Sequence, residues 1–261
     1  MQNQIRVIYK DKNFLAVYKP AGILVHSINL KPKTQNLKPD FTLVDWLSEK
    51  YPEVKNVGDE PQTRPGIVHR LDKDTSGVLL VARNQKYFEY LKNLFSPYGR
   101  SPEGRQGSQI KKTYLALVWG KLEPKTGVIK KPISIKSGAI KRTVWKGRLE
   151  KEAITEYRVI KYIEIPRLSA LSPRQSATFS LLKVMPKTGR THQIRVHLAS
   201  IGYPIVGDSL YGPKENSFGL KRQFLHAESL EFNISPGRRI KIAAELPEEL
   251  KRILDGFKNK D

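Results

Sequence analysis

The run Gly77-Val78-Leu79-Leu80-Val81-Ala82 holds six consecutive residues without a polar side chain. Six residues suit a strand and fall short of a stable helix. An unbroken apolar strand has to be covered on both faces. A chain with such a strand must therefore build layers around it, and 261 residues are enough for one large domain or two small ones.

The flanking pattern is mixed. Ile5–Tyr9 and Phe14–Tyr18 read as two short strands about an Asp11-Lys12-Asn13 turn, and Pro20 and Gly22 end the second. Residues Ser27 to Asp40 are polar and lysine-rich, an exposed loop. Thr42 to Tyr51 reads as a helix with Leu43, Trp46 and Leu47 on one face, and Gln85 to Phe95 as another. Ser96 to Gln109 is a basic loop. Strands are expected at Lys112–Lys121, Ile154–Ile163, Ala177–Val184, Leu225–Ile234 and Ile240–Ala243, and a loop at Pro166–Gln175. Helices are expected at Thr191–Ile201 and Pro247–Phe257. Because strands and helices alternate irregularly, the pattern favours an α+β fold over a doubly wound one.

Charge narrows the function. Lys and Arg number 47 against 25 acidic residues, a net charge of +22. Such an excess repels itself unless a polyanion offsets it, and nucleic acid is the common partner. Thr126 to Leu149 contains no acidic residue and carries seven cations, so it reads as one or two strands with a basic face. No apolar run reaches the length of a membrane span, no secretory leader is evident, and no basic amphipathic helix suggests an anionic membrane. Cysteine is absent, which excludes disulfides and thiolate metal sites and fits a reducing cytoplasm.

Two constellations could carry chemistry. In His69-Arg70-Leu71-Asp72-Lys73-Asp74-Thr75-Ser76-Gly77, polar residues sit between apolar segments. Asp72, Thr75 and Ser76 can bond local backbone, and Gly77 can take a positive φ before the next strand. A locked carboxylate serves nucleophilic or acid–base work, and the same pattern equally serves a rigid turn in which Asp72 only caps. In Thr188-Gly189-Arg190-Thr191-His192-Gln193-Ile194-Arg195-Val196-His197-Leu198, Thr191 is the expected N-cap, and Ile194, Leu198 and Ile201 the buried face. The helix dipole disfavours cations at its start, so Arg190 and Arg195 need an anion, either a carboxylate or a phosphate. Solvation suits Arg190 better than Arg195, which follows a buried position and is expected to be paired. His192 and His197 are wrongly spaced for a shared metal, no His-Glu-x-x-His is present, and no phosphate-binding glycine loop follows a strand. Tyr114, with Ala116 on the same strand face, suits the core and equally a platform for a base.

His69-Arg70-Leu71-Asp72-x-x-Thr75-Ser76-Gly77 resembles the signature of the RluA family of pseudouridine synthases. Further blocks match in the family's order: Val17-x-Lys19-Pro20-Ala21-Gly22 and Lys112-x-Tyr114-x-Ala116-x-Val118-x-Gly120. They continue with Thr188 to His197, Gly202-x-Pro204-Ile205-x-Gly207-Asp208-x-x-Tyr211-Gly212, and Leu225-His226-Ala227. The resemblance covers nearly the whole chain. It implies the pseudouridine synthase α+β fold, a curved, largely antiparallel sheet in two halves flanking a catalytic cleft. It also implies a single catalytic domain over residues 1–261, without the N-terminal S4-like domain of many relatives.

By that resemblance the catalytic residues are Asp72, which attacks or otherwise activates the ribosyl C1′, Tyr114, which stacks on the uracil and can serve as base, and Arg195, paired with the aspartate. Arg70 fills the gap left by the flipped uridine. Arg190, His192 and Lys112 join it in RNA contacts. The implied substrate is a stem-loop of ribosomal or transfer RNA, and the implied protein is a cytoplasmic monomer. An isomerisation without redox change or group donor needs no cofactor and no metal. The loop from Ser96 to Gln109 is expected to help grip RNA. Two rivals fit less well. A binding protein has no use for a carboxylate facing an anion, and a zinc deaminase or a methyltransferase lacks its cysteines or its glycine loop here.

Overall fold

The computed structural model describes residues 4–27, 41–96, 110–135, 141–145, 147–165, 177–213, 217–235 and 237–258. The loops expected at Ser27–Asp40, Ser96–Gln109 and Pro166–Gln175 lie almost wholly outside them. In chain order the elements begin β1 (Arg6–Lys10), β2 (Phe14–Lys19), α1 (Leu43–Lys50), β3 (Ser76–Ala82), α2 (Gln85–Phe95) and β4 (Lys111–Trp119). They continue with β5 (Thr126–Lys130), β6 (Ile133–Ile135), β7 (Arg142–Thr143), β8 (Arg148–Lys151), β9 (Ile154–Ile165) and β10 (Ala177–Pro186). The last are α3 (Gln193–Ser200), β11 (Leu225–Ser235), β12 (Arg238–Ala243) and α4 (Glu248–Lys258). The α+β, mainly antiparallel expectation holds.

The chain divides into two compact units. The first comprises Met1–Gln109 and Phe232–Ala244. Asp11 turns β1 into β2 by accepting the N–H groups of Asn13 (2.7 Å) and Phe14 (2.9 Å) on one carboxylate oxygen. β2 pairs antiparallel with β3, from Phe14 opposite Ala82 to Lys19 opposite Gly77. Every residue of both strands is buried, as the apolar run requires. Helix α2 lays Tyr87, Phe88, Leu91 and Leu94 into this core, and the Phe14 ring stacks between Tyr9 and Tyr87. Tyr87 and Tyr90 donate their hydroxyls to the carbonyls of Ile234 and Asn233 in the end of β11. Helix α1 starts with a reciprocal capping box between Thr42 and Asp45.

The second unit comprises Ile110–Glu231 and Glu245–Asp261. Its strand order is β11, β4, β10, β9, β5, with antiparallel neighbours throughout. One core runs through Leu117, Phe179, Leu182, Ile194, Leu198 and Phe224. The stretch read as one or two basic strands is in fact more broken. β5 joins the main sheet, while β6, β7 and β8 fold into a separate three-stranded sheet. That small sheet has its own core of Ile133 and Ala153 against Val196 of α3. Helix α3 thus serves two cores, which explains why Gln193 through Leu198 are all buried where one apolar face was expected.

Candidate functional site

In the first unit, the segment carrying Asp72 is held at both ends and from below. Upstream, Ile67 bridges to Val81, and the Ala82 N–H bonds the Gly66 carbonyl (2.9 Å). His69 accepts the Leu80 N–H at Nε2 (2.8 Å), so in this geometry its ring proton belongs on Nδ1. Its ring stacks on Phe95 of α2, centroids 4.2 Å apart. Downstream, the Thr75 N–H returns to the Asp72 carbonyl (3.1 Å), and Gly77 enters β3 at φ 130°, the positive value expected of it.

Lys19 supplies the support from below, a residue to which the sequence assigned no role. Its side chain is fully buried, and its ammonium donates to the carbonyls of Pro20 (2.7 Å), Ile23 (2.8 Å) and Lys73 (2.9 Å). Three donors meet three acceptors, as a buried ammonium requires. The Gly22 N–H bonds the same Lys73 carbonyl (3.0 Å). The turn bearing the half-buried Asp72 is therefore stapled to the Pro20–Ile23 turn. Arg70 is exposed. Its charge, after burial, helps hold the His26 imidazole below its ordinary pKa, so His26 belongs to the same neighbourhood.

In the second unit, the start of α3 gathers Lys112, Arg190, His192 and Arg195. Arg195 is 5% exposed and pairs with Asp208, 1% exposed. Arg195 donates Nε–H to Oδ2 (2.7 Å) and an Nη2–H to Oδ1 (2.8 Å). The same Oδ1 accepts the N–H groups of Leu210 (2.9 Å) and Tyr211 (3.1 Å). This is the carboxylate partner that the helix position demanded. The loop that presents it depends on Gly207. That residue sits at φ 74°, and a Cβ there would lie 2.2 Å from the Arg222 carbonyl oxygen.

The expected N-cap at Thr191 gives way to His192, in left-handed conformation at φ 56° and without a side-chain cap bond. Gln193 explains the shift. Its Oε1 accepts the Thr188 hydroxyl (2.7 Å) and the Arg190 N–H (3.0 Å), and its own N–H bonds the Arg190 carbonyl (3.1 Å). The tight turn over 188–193 thus precedes the helix. Gln193 Nε2 donates to the Thr155 hydroxyl oxygen (2.9 Å), which lies 2.9 Å from His197 Nδ1. His197 Nε2 donates to the Lys131 carbonyl (2.8 Å), leaving Nδ1 to accept from Thr155. Burial lowers the His197 pKa, consistent with this neutral tautomer.

Tyr211 gathers the rest. Its ring lies 5.3 Å from the Arg195 guanidinium carbon and 5.2 Å from the Lys141 ammonium. Its hydroxyl accepts the Arg142 N–H (2.8 Å) and lies 3.1 Å from His192 Nδ1. Arg190 is half-buried and donates Nε–H to the Glu152 carbonyl (2.9 Å). Lys112 is 7% exposed and donates to the Thr188 carbonyl (3.3 Å). It lies inside the unit, away from the solvated surface where a phosphate-gripping lysine is expected. Burial, then the charges of Lys187 and Arg190, push its pKa down to about 8. Tyr114 is half-buried in β4, opposite Val184 of β10 and Ala227 of β11. Lys19, Asp208, Tyr211 and Gln193 all fall inside the blocks that carry the resemblance, yet each has at least one partner in another block or in none.

The sequence profile of the family described as RNA pseudouridylate synthase matches residues 13–200. An uncharacterized RNA pseudouridine synthase of Chloroflexus aurantiacus is 39% identical over 240 residues, 90% of this chain and 64% of the relative. The ribosomal large subunit pseudouridine synthase D of Borreliella burgdorferi is 34% identical over 258 residues, 98% of this chain and 70% of the relative. The chain thus spans about two thirds of the length of these relatives. Among solved structures, human RNA pseudouridylate synthase domain containing 1 superposes with a TM-score of 0.67 at 22% identity, over 99% of this chain and 96% of that one. Human RNA pseudouridylate synthase domain containing 4 gives 0.66 at 23%, over 97% and 92%. These two establish the fold. With the profile and the relatives added to the motif blocks, the chain belongs to the RNA pseudouridylate synthase family.

Proposed function

We propose that the protein isomerises uridines in RNA to pseudouridine, with Asp72 as its catalytic carboxylate. The observation that carries this reading is the Asp72 turn, fixed by Lys19 and His69 within the span that matches the family. A carboxylate whose backbone is locked on both sides is preorganised to meet a reacting carbon. In the reaction the bond from ribose C1′ to uracil N1 breaks, the base rotates, and C1′ joins C5. The proton on C5 leaves and N1 gains one, so the isomerisation balances without a cofactor. Asp72 adds to C1′ or steers elimination from the ribose.

Tyr114 stacks on the uracil and takes the C5 proton. Arg195, oriented by Asp208, is the basic residue that the family resemblance assigns to the catalytic site. Arg70 fills the space of the flipped nucleotide, at a site where extraction costs roughly a few kcal/mol. Arg190 and His192 contact the RNA backbone, and Lys112 supports them by holding the 188–190 turn. The substrate is ribosomal or transfer RNA in the cytoplasm. The relatives named for the ribosomal large subunit favour the former.

Tritium release from RNA labelled at uracil C5 tests this. Wild type is expected to release tritium from large-subunit ribosomal RNA or transfer RNA transcripts, and Asp72→Ala to release none. Equal release by both would mean that another group does the chemistry.

A further inference from the structure

The small sheet of β6, β7 and β8 presents a tryptophan to solvent. Trp145 is 75% exposed and Leu149, at φ 54°, is 72% exposed. Leaving a large aromatic ring in water forgoes its burial, and an indole so exposed is open to stacking on a flat ligand.

The backbone beneath the ring is fixed. The Trp145 carbonyl accepts the hydroxyl of Ser134 (2.9 Å), itself 2% exposed, and the Trp145 N–H donates to Thr143 Oγ1 (3.1 Å). Gly147 lets the return strand close, since a Cβ there would lie 2.6 Å from Ser134 Oγ and 2.8 Å from the Ile135 carbonyl oxygen. The indole is therefore presented on a rigid support, which lowers the ordering cost of binding a flat ligand.

The surroundings specify the ligand's charge. Along the chain Lys141, Arg142 and Arg148 lie within four residues of the tryptophan, the Lys141 ammonium over the Tyr211 ring, and no acid occurs from Thr126 to Leu149. The sheet is also tied to the start of α3. Arg142 donates its backbone N–H to Tyr211, whose ring lies against Arg195, and the core of the small sheet includes Val196.

We propose that this sheet is a nucleotide-stacking finger. The Trp145 indole stacks on an unpaired base of the substrate RNA, and Lys141, Arg142 and Arg148 take the flanking phosphates. A ring between cations fits single-stranded nucleic acid, whose bases offer π-faces along an anionic backbone. An apolar protein partner would leave these cations unanswered, whereas RNA offers both a π-face and negative charge. The inference rests on the RNA-modifying function proposed above and names where that RNA is held.

The test is a fluorescence titration of the full chain with a 12-nucleotide single-stranded oligouridylate and with a 12-base-pair RNA duplex. It compares wild type, Trp145→Ala and Trp145→Phe. Stacking predicts quenching of indole emission in wild type that Trp145→Phe loses. Trp145→Ala should bind the single strand about tenfold more weakly, and Trp145→Phe less than threefold. Because the ring is exposed, both variants should melt within a few degrees of wild type, which keeps a misfolded variant from counting as support. Two results overturn the finger while leaving the proposed function intact: unchanged single-strand affinity in Trp145→Ala, or an equal loss on single strand and duplex. A wild type that neither binds oligouridylate nor releases tritium from any RNA would overturn the function and the finger together.

Discussion

Arg195 was expected to be paired from its place near a helix start, and it is, but its observed carboxylate is Asp208. Thirteen residues separate the two in the chain, and no periodicity connects them. Once buried, the pair cannot lose one member cheaply, because the other charge is stranded away from water. Asp208→Asn keeps the shape and removes the charge. It should cost about 3–5 kcal/mol of stability, read from urea unfolding, and should reduce tritium release along with it. Lys112 gives a pH signature. Its folded pKa lies near 8, below the ordinary 10.5. Below pH 8 folded and unfolded chains both hold the proton, so the cost of burying it is fully felt. Between pH 8 and 10.5 only the unfolded chain keeps it, so stability should rise with pH, by about 3 kcal/mol in all. Urea unfolding of wild type against Lys112→Met over that range checks this, since the variant should lack that part of the slope.

At the level of elements, apolar periodicity located α1, β2, β3 and α2 to within about a residue, because each presents a simple pattern to one core. It failed where an element serves two masters. Helix α3 lies between two cores and is buried all round, so a single apolar face was the wrong template. Its start also moved, because the Gln193 amide claims the backbone groups that a Thr191 cap would have organised. In the first unit, His69 ties β3 and α2 together through the Leu80 N–H and the Phe95 ring. His69→Phe preserves a ring to stack and removes the acceptor. The Leu80 N–H is then left unsatisfied, and stability should fall by about 1–3 kcal/mol. Faster hydrogen exchange at the Leu80 amide would locate the loss, and an unchanged exchange rate would show that another acceptor takes over.

For the molecule as a whole, the net charge of +22 is the property that any RNA must answer. Binding should be steeply salt-dependent. If six or more phosphates are neutralised, affinity for ribosomal RNA should fall by about a thousandfold or more between 50 and 200 mM salt, as filter binding would read it. A flat response would mean that the excess charge serves some other purpose. The sequence alone determined the strong positive charge, the α+β class, most of the element order outside Thr126 to Leu149 and the polar turn around Asp72. Charge, side-chain period and turn chemistry act over a few residues, so they can be read along the chain. The tertiary structure alone decided which groups support that turn and the start of α3. Lys19 reaches the carbonyl of Lys73, 54 residues away, and Lys112 reaches that of Thr188, 76 residues away. A buried charge must find its partner wherever strand pairing and loop closure bring one within hydrogen-bond distance. That is a property of the folded chain, and no local pattern records it.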